Sequence, residues 1–318
     1  MGESVGRIGW CAWLAIMTAQ RTPIHASPEM LARFNSEDLD VVTAHIRHCE
    51  RRHLSSATIK QRVSRLAQIS DHYPNQSILE VTGEQLEELL DQLRGNDGGP
   101  LLPSSRRGFV SILRTFFRWA VDYDYLARDP MRLVVTPKIP DALPRPIPER
   151  ELQLAINEAP TPLLKLWLLL AASAGLRAGE ISGLLWDNVD IGDGFMRVVG
   201  KGNKTRVVPI AVELVEPLIE HERTRSGSEF VFADSVFDRG FSPAQVTKIM
   251  SKYLAEVGLP YTAHSLRHRF GTEACESSGD IRGVQDLMGH SSIEQTARYT
   301  LVRDHRRRSI VDGMRNAA

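Results

Sequence analysis

The sequence contains few cysteines, and their spacing is not that of a disulfide framework or a thiolate metal site. Cys11, Cys49 and Cys275 are far apart, odd in number and without a Cys-x-x-Cys pair. Small secreted proteins that depend on disulfides usually carry an even number of cysteines at short spacings. The cysteine content therefore favours a protein of the reducing cytoplasm.

The chain also lacks an excess of charge of either sign. Lysine plus arginine and aspartate plus glutamate each number 39. Since a basic excess is the usual electrostatic sign of a nucleic-acid partner, overall charge says nothing about such a partner here. Any nucleic-acid surface must come from local clustering of basic residues.

No apolar run reaches the roughly 20 residues that a helix needs to cross a bilayer. The run at 10–19 is short and is flanked by Glu3 as well as Arg7, which is not typical of a secretory signal. The run LWLLLAASAGL at 166–176 predicts a buried helix. We expect a globular protein without a membrane partner, and 318 residues allow two domains.

Helical periodicity begins near residue 30 and predicts a four-helix module. In the segment 56–73, Ile59, Val63 and Leu66 recur at helical spacing. Thr82 is a candidate N-cap of the next helix. Basic side chains lie off the apolar faces of two predicted helices and are candidate DNA contacts, a solvated surface being the alternative: Lys60, Arg62, Arg65, Arg107, Arg114 and Arg118.

A proline-rich stretch divides the chain. Six prolines fall between Pro130 and Pro148, and proline fixes φ and removes a backbone donor, so this stretch predicts a stiff, extended connector. The predicted divisions are a lead-in of unassigned role at 1–28, a helical domain with basic stripes at 29–137, a linker at 138–143 and a second, larger domain at 144–318.

The second domain combines helices with one β-hairpin. MRVVGKGNKTRVVPI at 196–210 has β-branched arms around a Gly-Lys-Gly-Asn-Lys turn. Ser242, Pro243 and Gln245 are the N-cap, first-turn proline and capping-box partner of a further helix. The fold class predicted is mostly α, with a small β-hairpin or sheet in the second domain.

Several chemically active side chains occur in this domain in short motifs. His264 and Arg267 of HSLRH are spaced i and i+3, so a helix projects them from one face. The candidate site residues are Arg177, Glu180, Lys201, His264, Arg267, His290 and Tyr299.

This set of side chains is suited to catalysing the attack of a hydroxyl group on a phosphodiester. Two arginines can hold the non-bridging oxygens and neutralise charge in the transition state without a divalent metal. A lysine on a hairpin can protonate the leaving oxygen. A tyrosine oxygen can be the nucleophile and form a covalent intermediate.

Other interpretations of these residues exist. His264, His268 and His290 could form a three-histidine zinc site, but no glutamate lies between the first two, and the neighbouring Arg267 would repel a cation. We therefore interpret His268 as a packing residue and predict no metal and no cofactor. Tyr299 alone could also be a packing residue.

The motifs resemble those of the tyrosine recombinases, or phage-integrase family. GLRAGEISGLLWDNVDI, GKGNKTRVVPI, HSLRHRFGTEA and LMGHSSIEQTARYT follow one another in the family's order, with a proline-rich connector before them. The resemblance implies a C-shaped clamp of two domains around duplex DNA, a helical core-binding domain that binds DNA at 29–137 and a catalytic domain at 144–318. It also assigns roles: phosphate-clamping arginines Arg177 and Arg267, general acid Lys201, assisting histidines His264 and His290, supporting carboxylate Glu180 and nucleophile Tyr299.

The resemblance further implies a site-specific recombinase that needs neither metal nor ATP. It forms a 3′-phosphotyrosyl intermediate and acts as a homotetramer on two duplexes, with a directionality factor as a possible further partner. The tail RDHRRRSIVDGM is a candidate for docking on a neighbouring subunit. We expect integration or excision of a phage or mobile element. The alternatives are resolution of chromosome or plasmid dimers, DNA relaxation in the manner of type IB topoisomerases, and a catalytically idle DNA-binding module.

Overall fold

The computed structural model describes residues 26–95, 98–139, 144–200, 202–224, 227–234, 239–290 and 292–301. Their contacts form two compact units, one within Arg21–Asp141 and the other within Ala142–Ala318. Most of the lead-in, part of the linker, Lys201 and the tail at 303–314 lie outside the described residues.

The first unit is built from helices around one apolar core. The core includes Ile59, Val63 and Leu66, as the helical spacing predicts, and residues such as Phe109 from a later helix. The predicted cap is confirmed, since Thr82 and Gln85 form a capping box. The helices are α1 (Pro28–Leu31), α2 (Ser36–Arg51), α3 (Ser56–His72), α4 (Gly83–Gln92) and α5 (Pro103–Asp122), followed by a 3₁₀ turn at Pro130–Arg132.

A buried carboxylate joins two parts of this unit. Asp38, in the first turn of α2, is fully buried. It accepts hydrogen bonds from the Ser77 hydroxyl at 2.6 Å and from the Ile78 N–H at 3.1 Å. Because a buried charge is stable only when it is hydrogen-bonded, these contacts fix the segment before α4 against the start of α2.

The second unit is also mostly helical. Its core cluster contains residues from both helices and strands, among them Trp167, Met196 and Tyr253. The helices are α6 (Glu149–Asn157), α7 (Pro162–Ser173), α8 (Ala178–Ser182), α9 (Val212–Arg223), α10 (Pro243–Glu256), α11 (Ala263–Ser278), α12 (Ile281–Met288) and α13 (Ile293–Ala297), with 3₁₀ turns at Trp186–Asn188 and Arg298–Leu301.

The predicted hairpin is confirmed and belongs to a small antiparallel sheet. Strands β2 (Phe195–Val199) and β3 (Thr205–Pro209) pair along their whole length. A two-residue strand β1 (Val189–Asp190) extends the sheet in the order β1-β2-β3. Two residues cannot show the alternation by which a strand is predicted, so the sequence did not indicate β1. A separate pair joins β4 (Ala233–Asp234) to β5 (Arg239–Gly240).

The buried helix α7 places the first candidate arginine. It starts four residues before the apolar run and ends at Ser173, rather than covering all of 166–176. Gly175 has a φ of +64°, and a Cβ there would collide with the Phe270 ring. A glycine is therefore required at this turn, which ends the helix and leads directly to Arg177. In the described part of the chain, no helix is long and apolar enough to cross a membrane.

Candidate active site

Arg177 lies where the chain enters the short helix α8. Its N–H donates to Oε2 of Glu180 at 2.8 Å, and its Nη1 donates to Oε1 at 2.9 Å. The guanidinium also donates to the carbonyl oxygens of Met288 and Gly289, both at 3.2 Å. About a third of the side chain is still exposed, at 36%. Arg177 is thus oriented by the protein and remains open to an anion.

Arg267 projects from α11 and is buried, with 1% exposure. Its two terminal nitrogens donate to the carbonyl oxygens of Gly175 and Met288. Its Nε has no hydrogen-bond partner within the described residues. Burial, together with the charge of Arg177, lowers the pKa of Arg267 to about 10, so it stays protonated at neutral pH. Arg177 and Arg267 share the Met288 oxygen as acceptor and are therefore neighbours.

Glu180 is the carboxylate at the centre of the arginines, and it is 5% exposed. Beside the contacts with Arg177, it accepts two hydrogen bonds from Arg206 and lies 3.7 Å from Nη1 of Arg267. Burial alone would raise the pKa of Glu180. The hydrogen bonds from Arg206 and the Arg177 N–H outweigh that effect and lower the pKa, so Glu180 is a charged anchor.

Arg206 was not among the residues that the sequence singled out. It lies on β3, and its Nη1 and Nη2 donate to Glu180 at 2.8 and 2.9 Å. Its Nε donates to the Leu287 carbonyl at 2.7 Å. The sequence could have indicated Arg206 through the alternation of side chains along the strand, which puts Arg206 on the same face as the buried Val208. Arg206 ties the hairpin both to Glu180 and to the end of α12.

Tyr299 lies in the 3₁₀ turn Arg298–Leu301, after α13. It is 4% exposed. Gly271 of α11 permits a close approach, since a Cβ there would be 2.7 Å from Cε2 of the Tyr299 ring. Burial raises the pKa of Tyr299, although Arg267, Arg177 and Arg298 act in the opposite direction. Its hydroxyl is therefore protonated at neutral pH.

His290 follows α12 and packs on the tyrosine. Its ring is stacked on that of Tyr299, with centroids 5.9 Å apart and planes at 15°. Its Nδ1 lies 2.8 Å from the Thr296 hydroxyl. Burial and then the positive charges of Arg267 and Arg177 lower the pKa of His290 to about 4. The imidazole is therefore neutral at pH 7.

The two histidines of HSLRH are also neighbours of this site. The rings of His264 and His268 lie 4.2 Å apart. Nδ1 of His268 is 3.1 Å from the Tyr299 hydroxyl, a contact that the interpretation of His268 as a packing residue missed. Among the residues that the structure describes, no group of three or more His, Cys, Asp or Glu side chains could hold a metal ion.

Most of the sequence-predicted residues thus lie in one connected cluster. Lys201 lies outside the described residues, although the hairpin on either side of it is closed by the Gly200 N–H, which donates to the Lys204 carbonyl at 2.8 Å. The residues brought together are Arg177, Glu180, His264, Arg267, His290 and Tyr299.

The first unit contains a basic groove of about 590 Å³. Four of the six candidate DNA contacts line it, together with Arg52, which the sequence did not indicate. Lys60 and Arg65 do not line it; the Arg65 guanidinium lies 4.8 Å from the centre of the Phe109 ring. The arginines of the groove are Arg52, Arg62, Arg107, Arg114 and Arg118.

The groove arginines differ in how they are held. Arg114 donates to the Thr136 hydroxyl and, at 2.6 Å, to the Val134 carbonyl. Arg107 and Arg118 are exposed. We therefore separate Arg114, which is engaged with its own chain, from two arginines that are open to solvent.

Residues 148–306 match the model of the phage integrase family. Among curated proteins, the chain is 30% identical over 234 residues to tyrosine recombinase XerC of Pelobacter propionicus. The matched region covers 70% of this chain and 77% of that protein. It is 33% identical over 210 residues to tyrosine recombinase XerD of Staphylococcus epidermidis, covering 61% of this chain and 70% of that protein.

Solved structures show the same fold. A lambda integrase dimer bound to a COC′ core site has a TM-score of 0.65 at 18% identity, over 82% of this chain and 94% of that one. The Tn1549 transposon integrase in complex with transposon right end DNA also has a TM-score of 0.65, at 17% identity, over 88% of this chain and 99% of that one. The family model and the curated relatives show the family, and the solved structures show its fold: this chain belongs to the phage integrase family and is a tyrosine recombinase.

Proposed function

We propose that the chain cuts and rejoins duplex DNA through a 3′-phosphotyrosyl bond on Tyr299. The observation that carries the proposal is the sharing of one acceptor, the Met288 carbonyl, by the guanidiniums of Arg177 and Arg267. Two adjacent guanidiniums beside a phenol form a site for a phosphodiester, because they supply paired donors to its non-bridging oxygens.

Arg177 and Arg267 are proposed to hold the scissile phosphate. Both now donate to neutral carbonyl oxygens, and a phosphate oxygen is a stronger, charge-assisted acceptor. Glu180 keeps the guanidiniums in position before the substrate arrives. Such preorganisation stabilises the charge of the pentacoordinate transition state, since little rearrangement is needed during the reaction.

The neutral histidines suit a role as hydrogen-bond donors to the same phosphate. When Nδ1 of His290 accepts the Thr296 hydroxyl proton, its Nε2 carries the ring proton and can donate to a phosphate oxygen. His264, at the start of α11, is exposed and is proposed to assist in the same way. An arriving phosphate brings negative charge, which favours protonation of both rings.

The reaction conserves the energy of the phosphodiester bond. Tyr299 attacks the phosphorus, the 3′-phosphotyrosyl bond forms, and the 5′-oxygen leaves with a proton from Lys201. A 5′-hydroxyl from the partner duplex then reverses the step. Neither ATP nor a metal ion takes part in this sequence. We further propose that a homotetramer acts on two duplexes, and that a directionality factor is a possible partner.

The biological role proposed from the sequence is integration or excision of a phage or mobile element. Resolution of chromosome or plasmid dimers uses the same chemistry and is the alternative. The similar proteins include tyrosine recombinases XerC and XerD as well as lambda integrase and the Tn1549 transposon integrase. A relaxing enzyme is the second alternative, because it rejoins the strand that it has cut.

Strand exchange between two differently labelled duplexes tests the recombinase proposal. Each duplex carries a site taken from DNA recovered with the protein, and EDTA is present. We expect recombinant products that join the two labels. If supercoiled DNA is relaxed while the labels never join, the relaxing alternative is correct.

The basic groove of the first unit is proposed to contact DNA phosphates. Arg107 and Arg118 both line it and are exposed. Changing both to glutamine should lower the slope of log affinity against log salt by about 1.8, since each lost contact on duplex DNA removes about 0.9. The measurement is a DNA-binding titration at several salt concentrations.

The matched control for the groove is the pair Arg128 and Arg132, which are exposed but line a different surface depression. Changing both to glutamine removes the same net charge from the same unit and should leave the slope nearly unchanged. Equal slopes for the natural chain and the Arg107 and Arg118 variant would show that the groove is only a solvated surface.

A further inference from the structure

The closest polar contact of the Tyr299 hydroxyl within the described residues is with His268. Nδ1 of His268 lies 3.1 Å from Oη of Tyr299. The two ring centroids are 5.5 Å apart, with planes at 60°. Both rings are held, since Tyr299 is buried against Gly271 and His268 packs on His264. The contact is therefore part of the packed site.

The other histidine beside the phenol is not placed to accept its proton. His290 presents its ring face to Tyr299, whereas a lone pair lies in the plane of the ring. Its Nδ1 is also engaged with Thr296. The third histidine, His264, contacts the ring of His268. The geometry leaves His268 as the imidazole whose nitrogen is directed at the nucleophile.

We propose that Nδ1 of His268 accepts the Tyr299 proton as the phenol oxygen attacks the phosphorus. The step rests on the proposed role of Tyr299. The O–H bond of Tyr299 breaks, the O–P bond forms, and the bond from phosphorus to the 5′-oxygen breaks as that oxygen receives a proton from Lys201. When the strand is rejoined, the attacking 5′-hydroxyl gives its proton to Lys201 as its bond to phosphorus forms, and the imidazolium returns its proton to the tyrosine oxygen as the O–P bond of Tyr299 breaks. The enzyme thus regains its starting state.

The surroundings favour a neutral imidazole before the reaction. Burial lowers the pKa of His268 to about 4, and His264, Arg298 and Arg267 act in the same direction. At neutral pH the ring is therefore uncharged and can accept a proton. The bound phosphate adds a negative charge close to Arg267 and Arg298, which offsets their effect and makes the imidazole more basic when the attack occurs.

The groups that face this pair come from several elements. From α11 these are His264, Arg267 and Cys275, and from the 3₁₀ turn Arg298. Arg177 acts on Tyr299 from the start of α8. His290 contributes a ring that is neutral at pH 7.

The test compares His268→Asn and His268→Ala with the natural chain. Asparagine can keep a hydrogen bond near the Nδ1 position but cannot take up a proton. A single turnover on a nicked duplex, whose released fragment escapes rejoining, measures the rate of covalent attachment. We expect both variants to be about 10²-fold slower at pH 7, within the usual range for general-base catalysis.

The pH dependence separates a proton acceptor from a structural contact. Without the imidazole, attack requires tyrosine that is already ionised, and this fraction rises about tenfold per pH unit below the phenol pKa. The deficit of both variants should therefore shrink between pH 6.5 and 8. If His268→Asn equals the natural chain, the contact only positions Tyr299 and the proposal is wrong. If His268→Ala is faster, the contact holds Tyr299 back, which also overturns it.

Two measurements keep this result distinct from the fate of the proposed function. If the natural chain gives no adduct at Tyr299, the nucleophile itself is wrong, and the comparison of variants is not reached. If the natural chain forms that adduct and a His268 variant is slow, the thermal unfolding and DNA affinity of the variant are measured next. Both should match those of the natural chain, which shows that the variant is impaired in the chemical step alone. A slow variant counts against the proposal when it unfolds at a lower temperature or binds DNA more weakly, and its loss of rate stays the same as the pH rises.

Discussion

Tyr299→Phe should abolish covalent capture of DNA while leaving the fold and DNA affinity intact. The change removes one oxygen and the hydrogen bond to His268 but keeps the ring against Gly271. A hydrogen bond of this kind contributes about 1 kcal/mol to stability, which is small beside the stability of a domain. The variant therefore separates the chemistry of the phenol from its packing.

The measurement uses a nicked duplex with EDTA present, so that metal-dependent nucleases are silent. We expect an adduct that resists denaturation with the natural chain and maps to Tyr299. The matched control is Tyr253→Phe, since Tyr253 is also buried and its hydroxyl donates to the Ala155 carbonyl at 2.6 Å. That control should still form the adduct, even where it lowers stability. An adduct that persists with Tyr299→Phe would refute the proposed nucleophile.

Local sequence patterns were sufficient where a few neighbouring residues determine the structure. The capping box of Ser242 and Gln245 is confirmed, because both partners lie within one turn. The hairpin is confirmed because β-branched arms flank a turn-forming sequence. The start of α7 was missed because the apolar run begins only at Leu166, whereas the helix begins at Pro162 and is capped by Thr161.

Contacts across the fold were not predictable in this way. Arg206 and Glu180 are 26 residues apart, and neither the hairpin pattern nor the Arg-Ala-Gly-Glu motif indicates that they pair. His268 and Tyr299 are 31 residues apart. Their contact depends on how the chain returns after α12, which no local spacing specifies. The family motifs indicated the residues proposed to meet a phosphate, and Glu180 beside them, but not Arg206, which binds that carboxylate from the hairpin.

The arginine network has a consequence for the hairpin. Arg206 on β3 is bonded to Glu180 and to the Leu287 carbonyl, so the strand that follows the hairpin tip is fixed at the site. The same carboxylate orients Arg177. The hairpin is thereby linked, through the buried carboxylate of Glu180, to the Arg177 guanidinium that is proposed to hold the phosphate. This anchoring supports the proposal that the tip supplies a proton to the leaving oxygen.

Lys201→Ala should slow cleavage strongly and leave DNA affinity nearly unchanged, because its proposed task is protonation and not anchoring. The expected loss is about 10²–10⁴-fold, the usual contribution of a general acid. The matched control is Lys204→Ala, which removes the same charge three residues further along the chain, at an exposed position, and should cleave normally.

A substrate with sulfur in place of the leaving 5′-oxygen identifies the role of Lys201, because a thiolate leaves without being protonated. On this substrate Lys201→Ala should cleave nearly as fast as the natural chain. The Tyr299→Phe variant should stay inactive on it, since the loss of a nucleophile cannot be repaired by a better leaving group. If sulfur fails to rescue Lys201→Ala, the lysine does not protonate the leaving oxygen. The donor must then be sought among the arginines that contact Glu180, which are Arg177, Arg206 and Arg267.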